Sequence, residues 1–133
     1  MFLDEIAQRL EDEGVGTVGI LIFRGAKAVI PPGLTELITL IETGGTDAAR
    51  MHNSTLARPG AQIVARATTY PRARALALLA FDALGGDTGL DNITLSGIVY
   101  VSISSRQSLT DLGLDGAGRP MVGFNIEVEK QPS

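Results

Sequence analysis

The sequence predicts an α+β domain, with a mostly antiparallel sheet and two main helices packed on it, in the order α-β-β-β-α-β-β. Three observations carry this. Strands and helices do not alternate strictly, which disfavours a doubly wound sheet. The run 120–130 places Val122, Phe124, Ile126 and Val128 on one side and Gly123, Asn125, Glu127 and Glu129 on the other, the pattern of a half-solvated antiparallel strand. The run 61–84 reads as a strand feeding a helix that is apolar almost all round.

Phe2 to Glu13 has Leu3, Ile6, Ala7 and Leu10 at helical spacing, with Asp4, Glu5, Gln8, Arg9, Glu11 and Asp12 on the other face. Asp4 and Glu5 sit in the first turn, where the helix dipole favours acids. Thr17 to Arg24 is rich in β-branched and aromatic types and reads as a strand. Gly25 to Gly33 is a connection, stopped by Pro31-Pro32-Gly33. Leu34 to Thr43 reads as a second strand, ended by Gly44-Gly45. Thr46 to Pro59 is a long polar loop, the kind of segment that carries function.

Ala61 to Thr68 is the third strand. Pro71 then opens the helix at a position where proline is tolerated, and Gly85-Gly86 closes it. Ala73, Leu76, Ala77, Ala80 and Leu84 make one apolar row; Ala75, Leu78, Leu79 and Phe81 make another. A surface helix normally has one apolar stripe. The second row predicts a further cover, from another element or another subunit. Asp87 to Asn92 reads as a turn-rich loop and Ser108 to Pro120 as a second long loop; between them Ser96 to Ser105 reads as an alternating strand, with Ile98, Tyr100, Ser102 and Ser104 on one side and Val99, Val101, Ile103 and Ser105 on the other.

The 133 residues suit one domain spanning 1–133, with a formal net charge of -4 and no cysteine. That excludes disulfides, thiol catalysis and thiolate metal sites. The acidic balance argues against a phosphate-tracking, sequence-specific nucleic-acid binder. No apolar run approaches membrane-spanning length, and Asp4 and Glu5 stand where an export signal needs cations, so an intracellular product without a membrane partner is expected.

Chemistry is sparse. His52 is the one histidine, alone in the polar loop and without cysteines or spaced carboxylates to make a metal site with it. None of the serines sits in a Gly-x-Ser-x-Gly elbow. Gly14 to Gly16 and Gly113 to Gly118 lead into strands, the reverse of a phosphate-binding loop, which opens a helix. The expectation is no enzyme and no cofactor or metal. The alternative is a small-molecule-binding or enzymatic α+β domain using the loop around His52. Arg66, Arg72 and Arg74 cluster at the strand-helix junction, either as a solvated edge or as partners for acids of a neighbouring subunit.

Several segments then form a familiar order: Glu42-Thr43-Gly44-Gly45, Val64-Ala65-Arg66 to Tyr70, Ala83-Leu84-Gly85, Gly97, Tyr100, Gln107-Ser108, Leu112-Gly113, Asp115, Gly118-Arg119-Pro120, Phe124 and Val128. Together they resemble the minor capsid or tail-terminator proteins of long-tailed bacteriophages, over nearly the whole chain. The resemblance implies a structural virion protein, made in the host cytoplasm, that forms a ring of itself, commonly a hexamer, at the head-tail junction. Its implied partners are the tail tube protein and the head-tail connector protein, with DNA passing through the ring. A head-completion or neck role is the neighbouring reading. The expected contact residues are Arg50, His52, Arg58, Leu109, Asp111, Leu112 and Arg119 from the two long loops, with Arg66, Arg72 and Arg74. An acidic subunit suits a channel that DNA crosses without being gripped. A lumen lined by Arg24, Lys27, Arg50 and Arg58 is the opposite expectation.

Overall fold

The computed structural model describes residues 2–25, 35–43, 58–105, 109–116 and 118–131. The elements run α1 (Phe2–Asp12), β1 (Ile22–Arg24), β2 (Leu37–Glu42), β3 (Gly60–Arg66), α2 (Tyr70–Ala83), β4 (Leu90–Leu95), β5 (Ile98–Ser105), β6 (Thr110–Leu114) and β7 (Pro120–Lys130). They form one sheet in the order β1-β2-β3-β7-β5-β4, with β6 also paired to β7. Every pairing is antiparallel except β1 with β2. The α+β class expected from the sequence is the class observed.

β7 is the middle of the sheet because its eleven residues are long enough for three partners. One edge takes β3 along Met121 to Glu127; the other takes β6 at its start and β5 at its end. Both helices cover the same sheet face. α2 packs on β3 and β7, and α1 packs on β1, β2 and β4. Ile6, Leu10, Ile38, Ile63, Leu76, Tyr100 and Phe124 fill the shared core, each at most 2% exposed. Burying one such side chain contributes about 1.5–3 kcal/mol. Phe81, expected on the outer row of α2, instead turns inward and meets Phe124 edge-on, with ring centroids 5.3 Å apart.

Four local expectations change. The strand expected over 17–24 is confined to Ile22–Arg24, because the Thr17 carbonyl accepts from the backbone N–H groups of Ile20, Leu21 and Ile22 and coils the preceding residues into a turn. The loop expected over 87–92 holds the start of β4, which makes a hairpin with β5. Ser96 and Gly97, at φ 50° and 81°, are the two turn residues, the left-handed pair that a two-residue hairpin turn demands. The second long loop holds β6, whose five residues are all exposed. With neither face buried it shows no alternation, and its ladder to β7 makes it a strand. Finally, Tyr100 and Ile103 are both buried, three positions apart. A register shift between Tyr100 and Ser102 breaks the expected alternation and lets Tyr100 pair with Lys130 and Ile103 with Val128 on one face.

Candidate interaction surfaces

The sheet face away from the helices carries the first surface. Strand alternation puts three cross-strand rows there: Leu37, Arg66 and Met121; then Thr39, Val64 and Gly123; then Ile41, Gln62 and Asn125. Leu112 of β6 leans over the same rows. The result is an open groove of about 300 Å³, lined mainly by apolar side chains. Gly123 forms its floor because a Cβ there would lie 2.7 Å from the Ile63 carbonyl oxygen and 2.9 Å from Leu112 Cδ1.

At the first row, two guanidinium groups converge on one carboxylate. Arg66 Nη1 lies 3.3 Å from Asp115 Oδ2 and Arg119 Nε lies 3.2 Å from the same oxygen. Asp115 is placed by its own turn, where Oδ1 accepts from the Arg119 backbone N–H at 2.8 Å. Beyond the third row the groove face becomes acidic, with Glu127 beside Gly60 and then Glu129, which pairs with Arg58 at 3.1 Å.

The second surface is the outer side of α2. Leu78 and Leu79 are 47% and 50% exposed, next to exposed Ala75, Arg74 and Asp82. Thr69 caps this helix by accepting from the Arg72 backbone N–H, and Pro71 lies in its first turn. The surplus apolar surface expected from the sequence is therefore real at Leu78 and Leu79, and absent at Phe81.

The expected contact residues divide. Arg66, Leu112 and Arg119 meet at the groove. Arg72 and Arg74 lie on α2, across the sheet from it. Arg72 makes two hydrogen bonds to Glu36, at 2.8 and 3.1 Å, and these hold the Glu36 carboxyl below its ordinary range. Arg74 is exposed, with no partner among the described residues. Arg58 is at the acidic end of the groove face. Leu109 packs on the core, and Asp111 accepts from the Gly113 backbone N–H at 2.8 Å. Arg24 pairs with Asp4. Arg50, His52 and Lys27 lie outside the described residues. Reading single residues missed Leu37, Thr39, Ile41 and Val64, yet the signal was present: Leu37 to Ile41 is apolar on both alternate rows apart from Thr39, as in a strand covered on both faces.

One buried titratable cluster needs testing as an active site. Glu5, Tyr100 and Lys130 are 3%, 0% and 3% exposed. The Tyr100 hydroxyl and the Lys130 ammonium both donate to Glu5 Oε1, at 2.6 and 2.9 Å. Burial, then the Glu5 carboxylate, push the Tyr100 phenol far above its ordinary value. None of the three lines the groove, and Tyr100 and Lys130 both turn their donors onto Glu5 in the core. The cluster is a core strut. Glu5, expected on the solvent face of the first helix, is on the core face because these donors satisfy it. Among the described residues no group of three acids or histidines is arranged to hold a metal, and no helix is long and apolar enough to cross a membrane.

A protein-family model described as bacteriophage tail terminator protein matches residues 9–132. The chain belongs to the bacteriophage tail terminator family. A comparison with curated proteins found no match. Among solved structures, a chain of the "Virion of native gene transfer agent (GTA) particle" is similar in fold, with a TM-score of 0.66 and 15% identity over 96% of this chain and 92% of that one. For a tail terminator family member, the two apolar surfaces on opposite sides of one sheet are the features to explain.

Proposed function

We propose that this chain is a structural, non-enzymatic virion component that caps the head-proximal end of a phage tail tube. It does so as a closed ring of identical copies, six in number, and offers the opposite rim of the ring to the head connector. Membership of the tail terminator family supports the tail role. The observation that carries the ring is the pair of apolar surfaces, the sheet groove and the outer side of α2, which face opposite ways. A ring needs heterologous contacts, in which two different patches of the subunit meet around a closing rotation. The net charge of -4 suits a subunit around a DNA path, since an acidic wall does not hold phosphates.

Electron microscopy of a lysate from phage carrying an early stop in this gene tests the reading. Overlong tails without heads are the expected result. Normal-length tails that fail to join heads would assign the chain to the neck, and normal infectious particles would remove it from assembly.

A further inference from the structure

Resting on the ring reading above, we infer that the outer side of α2 in one copy docks into the sheet groove of the next copy. The two surfaces match in chemistry. The groove offers Ile41, Val64, Leu112 and Met121; the helix offers Leu78 and Leu79, backed by Ala75. They also match in charge, and the charges set the direction. The first row holds two cations and one anion, Arg66, Arg119 and Asp115, whereas the far end holds two anions and one cation, Glu127, Glu129 and Arg58. On α2, exposed Arg74 precedes the leucines and exposed Asp82 follows them. Neither has an ion partner among the described residues. With Asp82 of the incoming helix at Arg66 and Arg119, Arg74 points toward Glu127.

The spans agree. From Arg74 to Asp82 the helix rises about 12 Å. From Arg66 to Gln62 along β3 is about 13 Å, and Glu127 lies one row further, within reach of a long arginine side chain. The opposite orientation would set Asp82 against Glu127 and Arg74 against the two arginines, a like-charge arrangement at both ends. Because α2 and the groove lie on opposite sides of one sheet, a copy cannot fill its own groove. Each contact leaves one helix and one groove free, and the series ends only by closing.

The sequence lacks cysteine, which makes disulfide trapping clean. Leu79→Cys and Thr39→Cys are placed together in the phage gene, and purified particles are oxidised. Within one chain the two positions are on opposite sides of the sheet and beyond disulfide reach. The expected result is a non-reducing ladder of dimers and higher multiples, absent from each single variant. Terminated tails that carry the double variant but give no ladder would overturn the groove contact and leave the ring reading intact. A particle whose Thr39→Cys chain is captured, through a thiol-to-amine cross-linker, by the tube protein alone would assign the groove to the tube and overturn it too. Overlong or headless tails accompanying a fully folded Leu79→Asp chain would support the contact, since that side chain is half exposed in the monomer. Normal particles from the Leu79→Asp phage would overturn it. Failure of the ring reading itself is read separately, from normal particles in the early-stop lysate.

Discussion

Lys130 Nζ donates to Glu5 Oε1 at 2.9 Å and so ties the last residue of β7 to the first turn of α1, across 125 positions of chain. The ammonium also lies 5.5 Å from the Tyr100 ring centroid and 5.9 Å from that of Phe2. The bulge in β5 is what makes this possible, because it brings Tyr100 opposite Lys130. A charge pair this deep gains little over apolar packing when intact, but is costly to break on one side.

Lys130→Met therefore takes the cation from a buried carboxylate and is expected to destabilise the fold by about 3 kcal/mol. Tyr100→Phe removes one hydrogen bond to a charged group and is expected to cost about 1.5–3 kcal/mol. The double change Glu5→Leu with Lys130→Met should cost much less than the two single changes added. Urea unfolding of the four variants measures this; strict additivity would mean that the three groups do not act as a unit.

The same cluster sets a pH dependence. Burial raises the Glu5 carboxyl, but its hydrogen bonds, those from Tyr100 and Lys130 first among them, and the Lys130 charge together outweigh it and leave the group below its ordinary 4.5. A carboxyl depressed on folding contributes stability that is present above the unfolded value and lost as pH falls through the folded one. Stability should thus decline below about pH 4.5, and Glu5→Gln should remove part of that slope. Tyr100 is raised from 10.0, so its contribution is full below that value and fades as pH rises past it. Unfolding midpoints at pH 3–7 and 9–11 check both limbs, with Tyr100→Phe as the alkaline control.

Most of the scaffold was legible because periodicity carries it. The boundaries of β7 fall where alternation placed them, and α2 is displaced by a single residue from the expected helix. Three things were not legible, each for a physical reason. β6 buries no side chain, so no hydrophobic pattern records it. Glu5 looked solvated because its neutralising partners are 95 and 125 positions away. The β5 bulge shifts the face of Tyr100, and no residue type announces it. The interaction surfaces were half legible: the extra row on α2 was visible, while the groove exists only once three distant strands are laid side by side.

Gly123 predicts a cost that sheet propensity alone would miss. Alanine is ordinarily no worse than glycine in a strand, but here its Cβ would press on the Ile63 carbonyl oxygen and on Leu112. Gly123→Ala is expected to destabilise by about 1–3 kcal/mol, as overpacking does. A companion Gly123→Ala with Leu112→Ala relieves the side-chain contact and leaves the backbone one. Partial recovery of the melting temperature in the pair would apportion the clash, and no loss in the single variant would refute the close approach.

Arg72 and Arg74 are neighbours on α2 that the structure treats differently. Arg72 is already engaged by both oxygens of Glu36, within the chain and at the surface, where such pairs contribute little to stability. Arg74 is exposed and has no described partner. Arg72→Ala is accordingly expected to leave tail length and infectivity near wild type, with a small fall in melting temperature. Arg74→Glu should change monomer stability by no more than about 0.5 kcal/mol, as for a surface site. Yet it would place an acid toward Glu127 of the next copy and weaken assembly, more at low salt than at high salt, because the repulsion is screened. Plaque titres and tail lengths of the two variants, with thermal unfolding of the purified chains, separate the roles. Equal titres would show that Arg74 faces solvent in the particle. A defect in Arg72→Ala matching that of Arg74→Glu would show that the Glu36 pair opens on assembly.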